Sequence, residues 1–129
     1  MDFECIRNIE PLLAGVTAFS AWESEECVAV GIFGAIPGHA LLRDVIAALP
    51  QSFRDEEPGR QDLSTGPGLF TRIVASHGDV VLFGPELFYP YHFSEMQRRH
   101  QEFPRAYAVH HWAYSWGPGH GQVESDGCS

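Results

Sequence analysis

A chain of 129 residues is the size of one ordinary domain and too short for two full-sized ones. Its apolar content of 44% fits a globular protein, and no apolar run approaches the roughly 18 residues a membrane span needs. A formal charge of −9, with no Lys/Arg cluster to offset it, opposes attraction to nucleic acid or anionic lipid, and makes a divalent cation the expected bridge between its carboxylates and any phosphate ligand.

Cys5, Cys27 and Cys128 form an odd set without C-x-x-C spacing, which argues against a disulfide framework and a zinc knuckle. A reducing, cytoplasmic compartment is expected. The N-terminus MDFECIRNIEPLL lacks the basic region and long apolar stretch of a signal peptide.

Asp2 to Ala14 mixes apolar and charged positions around Pro11-Leu12-Leu13, a turn or short helix that Gly15 can end. Thr17 to Trp22 and Cys27 to Phe33 read as buried strands. From Ala40 to Leu49, the apolar residues Leu41, Leu42, Val45, Ile46 and Leu49 form a helical stripe that Pro50 is expected to terminate. Gln51 to Ser64 is a polar loop. A second helix opens at Thr65-Gly66-Pro67, with Thr65 as N-cap, Pro67 near the first position, Leu69, Phe70, Ile73 and Val74 inward, and Gly78 as the stop.

Val80 to Phe83 is a short apolar strand bounded by Gly84-Pro85, and Leu87 to Phe93 is too aromatic and proline-broken for a central strand. Ser94 to Pro104 is a polar connection, Ala106 to Trp112 a strand, and Gly117 to Ser129 a glycine-rich, flexible tail. Strands alternating with two helices predict an α/β layer architecture.

YAVHHWAYSW places His110 and His111 side by side. On a strand they point to opposite faces, so only one can serve a given metal ion, and aromatic-lined structural histidines are the ordinary alternative. Asp2 and Glu4 are carboxylates of the kind that hold Mg²⁺ or Mn²⁺ at a strand end, or belong to a solvated terminus. LSTGPGLFTR is a glycine-containing turn into a helix, suited to an anionic or hydroxyl-rich ligand but without a Walker or dinucleotide-binding pattern. FYPYHF gathers four rings and His92, a face for a sugar or for the core. No nucleophile, base and orienter series supports a hydrolase triad.

In order and spacing, DFECIRNIEPLL, GAIPGHALLRDVI, STGPGLFTR, ELFYPYHF and YAVHHWAYSW resemble the C-terminal half of the DXD-containing sugar-transferase family. That family is related to yeast initiating mannosyltransferases and bacterial capsular or lipopolysaccharide glycosyltransferases. The resemblance implies an α/β, GT-A-like nucleotide-diphospho-sugar transferase fold lacking its N-terminal half, with residues 1–116 as the C-terminal portion and 117–129 as the tail. It implies a metal-dependent transfer of a hexose from a nucleotide-sugar donor to a glycan or other acceptor. Asp2, as the second acid of the D-x-D pair, and His110 would ligate Mn²⁺ or Mg²⁺, with Ser115 and Trp116 at the diphosphate.

By the same resemblance, Thr65, Gly66 and Pro67 lie near the donor sugar and acceptor, Asp62 meets sugar hydroxyls, and His111 packs on the opposite face. Relatives often carry Asn before the segment corresponding to GIFGAIPGH, where this chain has Val30 and Gly31. Two other readings stand beside the enzyme. One is a non-catalytic remnant binding carbohydrate, metal or a protein, and the other a small histidine-containing metal protein unrelated to sugars. An unpaired sheet edge would also promote homo-oligomers.

Overall fold

The structure, a computed structural model, describes residues 2–54 and 65–112. Within them a three-stranded sheet is formed by β2 (Ala18–Trp22), β3 (Val28–Ala35) and β4 (Val80–Phe83), in the order β3-β2-β4. β2 runs antiparallel to β3 and parallel to β4. A separate antiparallel ladder joins β1 (Phe3–Cys5) to β5 (Ala108–His110), with Phe3 opposite His110. The helices are α1 (Ala40–Arg54), α2 (Pro67–Ala75) and the one-turn α3 (Pro85–Phe88), with 3-10 turns at Glu10–Leu12 and Phe93–Arg98. The α/β class expected from the sequence is the class observed.

Side-chain alternation along the strands gives the sheet two different faces. Ala18 and Val28 pack with Leu41 of α1 and Phe70 and Val74 of α2. On the other side, Ala21 and Ala29 pack with Phe88, Tyr89 and Ala108, joined by Phe3 and Trp112. Each fully buried aliphatic or aromatic side chain contributes about 1.5–3 kcal/mol over exposure, so both faces help hold the sheet.

Between Ser20 and Trp22 the pairing on β3 jumps from Phe33 to Val28, a bulge that leaves residues of β3 without ladder partners. The buried Ser20 hydroxyl lies 2.9 Å from the carbonyl oxygens of both Ala29 and Ile32, so its one proton is shared between or alternates over two acceptors of the bulge. This bulge holds Val30-Gly31 and turns it towards the ladder. A Cβ at Gly31 would come 2.7 Å from the Tyr89 hydroxyl oxygen and 3.1 Å from the Phe3 ring. At the β2 pairing partner Gly34, a Cβ would lie 2.5 Å from the Phe19 ring, so the absent side chain lets that ring lie across the strand.

Several boundaries differ from expectation. α1 does not stop at Pro50 but continues to Arg54. Proline removes the hydrogen bond to the carbonyl four residues earlier, that of Ile46, and this residue lies on the solvent side of the helix, 66% exposed. Thr65 is not the N-cap of α2: Gly66 occupies that position without a side-chain hydrogen bond, and Pro67 sits in the first turn as expected. α2 is capped by Ser76, ahead of Gly78. β4 covers the expected residues, whereas β5 is shorter than Ala106 to Trp112 because the strand ends at His110 and Trp112 adopts φ 51°. The expectations for Asp62, Ser115, Trp116 and the tail 117–129 lie outside the described residues. No helix among the described residues is long and apolar enough to cross a membrane.

Candidate functional site

The β1–β5 ladder brings the two ends of the described chain together. His110 ends β5 opposite Phe3, and the His111 amide donates to the Asp2 carbonyl at 2.7 Å, which fixes the carboxylate of Asp2 beside the imidazole of His110. His110 Nε2 and Asp2 Oδ2 are 4.0 Å apart, with side chains 16% and 29% exposed. The two residues the sequence resemblance nominates as metal ligands are therefore neighbours.

Aromatic rings frame the imidazole. Phe3, Tyr89 and Trp112 have ring centroids 4.8, 5.3 and 4.4 Å from that of His110, and Phe3 and Trp112 meet it edge-on. Burial in this frame pushes the His110 pKa down; the charge of Asp2 works against that and His111 adds to it. His110 Nδ1 is buried with no hydrogen-bond partner among the described residues. Burial likewise raises the pKa of the Tyr89 hydroxyl, and the nearby carboxylate of Glu23 reinforces the effect.

His111 does not simply pack on the opposite face. Its Nε2 lies 2.6 Å from Glu4 Oε2, and its Nδ1 is 3.5 Å from the Tyr91 hydroxyl, a contact at the long limit of a hydrogen bond. Because β5 stops at His110, strand alternation no longer governs residue 111, and each histidine takes one carboxylate of the N-terminal segment. The two histidines thus face different carboxylates, His110 the one of Asp2 and His111 the one of Glu4.

Trp112 joins this pair to an open cavity of about 620 Å³, lined by Tyr91, Phe93, Met96, Arg99 and His111 among others. The Trp112 indole N–H donates to the Tyr91 carbonyl at 2.9 Å, and its ring meets Phe93 and His92 edge-on at 5.6 and 5.5 Å. Phe93, Met96 and Arg99 are presented by the turn after His92, whose backbone N–H donates to Glu95 while its ring nitrogen accepts from the Ser94 amide. This reciprocal cap sets the turn without a longer helix.

Thr65, Gly66 and Pro67 belong elsewhere in the fold. They open α2, which packs on the face of Ala18, Val28 and Leu41, whereas Asp2 and His110 belong to the ladder on the other face. Thr65 is exposed and Gly66 half-buried. No group of three or more His, Cys, Asp or Glu able to hold a metal ion occurs among the described residues.

The donor chemistry nevertheless fits part of a Mn²⁺ or Mg²⁺ site. One carboxylate and one imidazole are acceptable ligands for Mn²⁺, and an octahedral ion with two protein donors keeps about four positions for phosphate oxygens and water. Sequence reasoning missed Arg99 and the His111–Glu4 pair. Arg99 sits in a polar connection with no motif, and the pairing of Glu4 with His111 depends on a ladder between residues at opposite ends of the sequence. In comparison with protein families, curated proteins and solved structures, the chain matches none.

Proposed function

We propose that the chain carries the metal and diphosphate side of a sugar-transfer site of GT-A type, in which Asp2 and His110 hold Mn²⁺ or Mg²⁺ together with the diphosphate of a nucleotide-sugar. The observation that supports this reading best is the approach of the Asp2 carboxylate and the His110 imidazole to 4.0 Å across the β1–β5 ladder. A divalent ion bound there supplies positive charge against a diphosphate leaving group. The chain's own part is to fix the two donors: Phe3, Tyr89 and Trp112 hold the imidazole, and the ladder holds Asp2. The T-G-P turn beside the transferred sugar, the diphosphate contacts of Ser115 and Trp116, and the sugar contact of Asp62 extend the same reading.

A titration of Mn²⁺ with and without UDP or GDP tests it. Nucleotide strengthens Mn²⁺ binding, and Asp2→Ala and His110→Ala each weaken it; metal binding indifferent to nucleotide contradicts the reading.

A second reading, a non-catalytic domain of the same descent that binds metal or carbohydrate, is favoured by Gly31. A Cβ at this position would approach the Tyr89 hydroxyl to 2.7 Å, which leaves no room for a side chain at residue 31, and the preceding position, where relatives of the resembling family often carry Asn, is the apolar Val30. Nucleotide-dependent metal binding without sugar transfer is the outcome that selects it.

A further inference from the structure

The cavity beside the Asp2–His110 pair has a charge opposite to that of the chain. The molecule carries a net −9, yet among the described residues no Asp or Glu lines the cavity, while the guanidinium of Arg99 does, beside the rings of His100 and His111. The His111 imidazole is engaged with Glu4, and Arg98 on the same turn is paired with Glu95 at 2.9 Å. Arg99 differs: among the described residues its guanidinium meets no carboxylate, and its Nε donates to His100 Nε2 at 2.9 Å. An arginine without an acid partner there, in a protein with twice as many acidic as basic side chains, is available for an anion from outside.

The rest of the lining is aromatic. Phe93 is 47% exposed, a large apolar ring open to solvent, and Trp112 is held by its indole hydrogen bond to Tyr91 and by edge contacts with its neighbours. A rigid ring face beside a guanidinium is suited to a ligand with a C–H-rich ring and one anionic substituent. Trp112 also fixes where such a ligand lies, because the same indole that lines the cavity has its centroid 4.4 Å from that of His110. A ligand in the cavity is thus separated from the candidate diphosphate site by one aromatic ring.

We propose that this cavity receives the acceptor of the transfer, and that the acceptor is an anionic saccharide, a sugar ring bearing a carboxylate or a phosphate. Phe93 and Trp112 take the ring and Arg99 takes the anion. The assignment as acceptor rests on the sugar-transferase reading; the binding preference itself does not need metal or nucleotide and is measured without them.

The test is calorimetric titration of the full chain, free of metal and nucleotide, with glucuronate, glucose 6-phosphate, glucose and inorganic phosphate, repeated on Arg99→Gln. Both anionic sugars are expected to bind on the order of 10-fold more tightly than glucose, as a charge-assisted contact allows, and more tightly than phosphate alone. Glucuronate and glucose 6-phosphate separate the carboxylate from the phosphate form of the ligand. Arg99→Gln removes the advantage over glucose and leaves the thermal midpoint unchanged, because Arg99 is an exposed side chain. Equal binding of glucose and the anionic sugars, phosphate binding as tightly as glucose 6-phosphate, or an advantage that survives Arg99→Gln overturns the proposal. The preference for anionic sugars in a chain that fails the nucleotide-dependent Mn²⁺ titration supports the cavity assignment while removing the transferase reading.

Discussion

The helical face of the central sheet packs Ala18, Val28, Leu41, Phe70 and Val74, a cluster of apolar side chains with no titratable member. The ladder face surrounds an imidazole with Phe3, Tyr89 and Trp112, leaves one of its nitrogens buried without a partner among the described residues, and brings a carboxylate to 4.0 Å from the other. A buried polar atom without a hydrogen bond costs about 1–3 kcal/mol, a cost that apolar packing avoids. Both faces bury apolar side chains, and the ladder face alone also carries the cost of an unpartnered imidazole nitrogen.

The largest expected effect breaks the helical face alone. Leu41→Ala removes a fully buried side chain from the contact between α1 and the sheet and is expected to lower stability by about 2–5 kcal/mol in urea unfolding. At temperatures where the variant remains folded, its nucleotide-dependent Mn²⁺ affinity stays as in the parent. A matching loss of affinity would show that the two faces do not act separately.

A smaller effect is expected from Gly31→Asn, which places a polar side chain at the bulge. The new Cβ meets the Tyr89 hydroxyl and the Phe3 ring, so overpacking is expected to cost about 1–3 kcal/mol, and the shift is felt on the ladder face. Denaturant unfolding reads the cost, and changed resonances of Phe3 and His110, with those of Leu41 unmoved, locate it.

The smallest effect concerns pH. Burial lowers the His92 pKa from its ordinary 6.5, and Glu95 opposes the shift. The ring nitrogen that accepts from the Ser94 amide can do so only while it is unprotonated. Because the folded pKa is depressed, this contribution is fully present above pH 6.5; as pH falls the unfolded chain takes up the proton first, and the contribution is lost through the folded pKa. His92→Asn keeps a good N-cap acceptor without an ionisable group, so its stability is expected to fall less than the parent's between neutral and mildly acidic pH. Parallel pH profiles of the two proteins would remove His92 as the cause.

The parts of the fold legible in the sequence are those encoded by local signals. Val80 to Phe83 is a continuous apolar run stopped by Gly84-Pro85, and Pro67 marks the first turn of α2. Pro50 misled because α1 carries it on a stretch whose neighbour Ile46 faces solvent, and which side of a helix faces solvent is a property of the fold. The β1–β5 ladder has no local signature, since Phe3 pairs with His110 from the far end of the described chain. For the site, Asp2 and His110 came from motif order, whereas the pairing of Glu4 with His111 required knowing that β5 ends one residue earlier. Arg99 stands out only once its neighbour Arg98 is seen to be paired with an acid, while Arg99 meets none among the described residues.

The two histidine–carboxylate pairs give the central claim its most direct test. Electron spin-echo spectroscopy of Mn²⁺ bound to the chain in the presence of UDP is expected to show a directly coordinated imidazole nitrogen. That signal should vanish in His110→Ala and persist in His111→Ala. A signal lost with His111 and kept without His110, or the absence of imidazole coordination in the parent, would contradict the assignment of Asp2 and His110 to the metal.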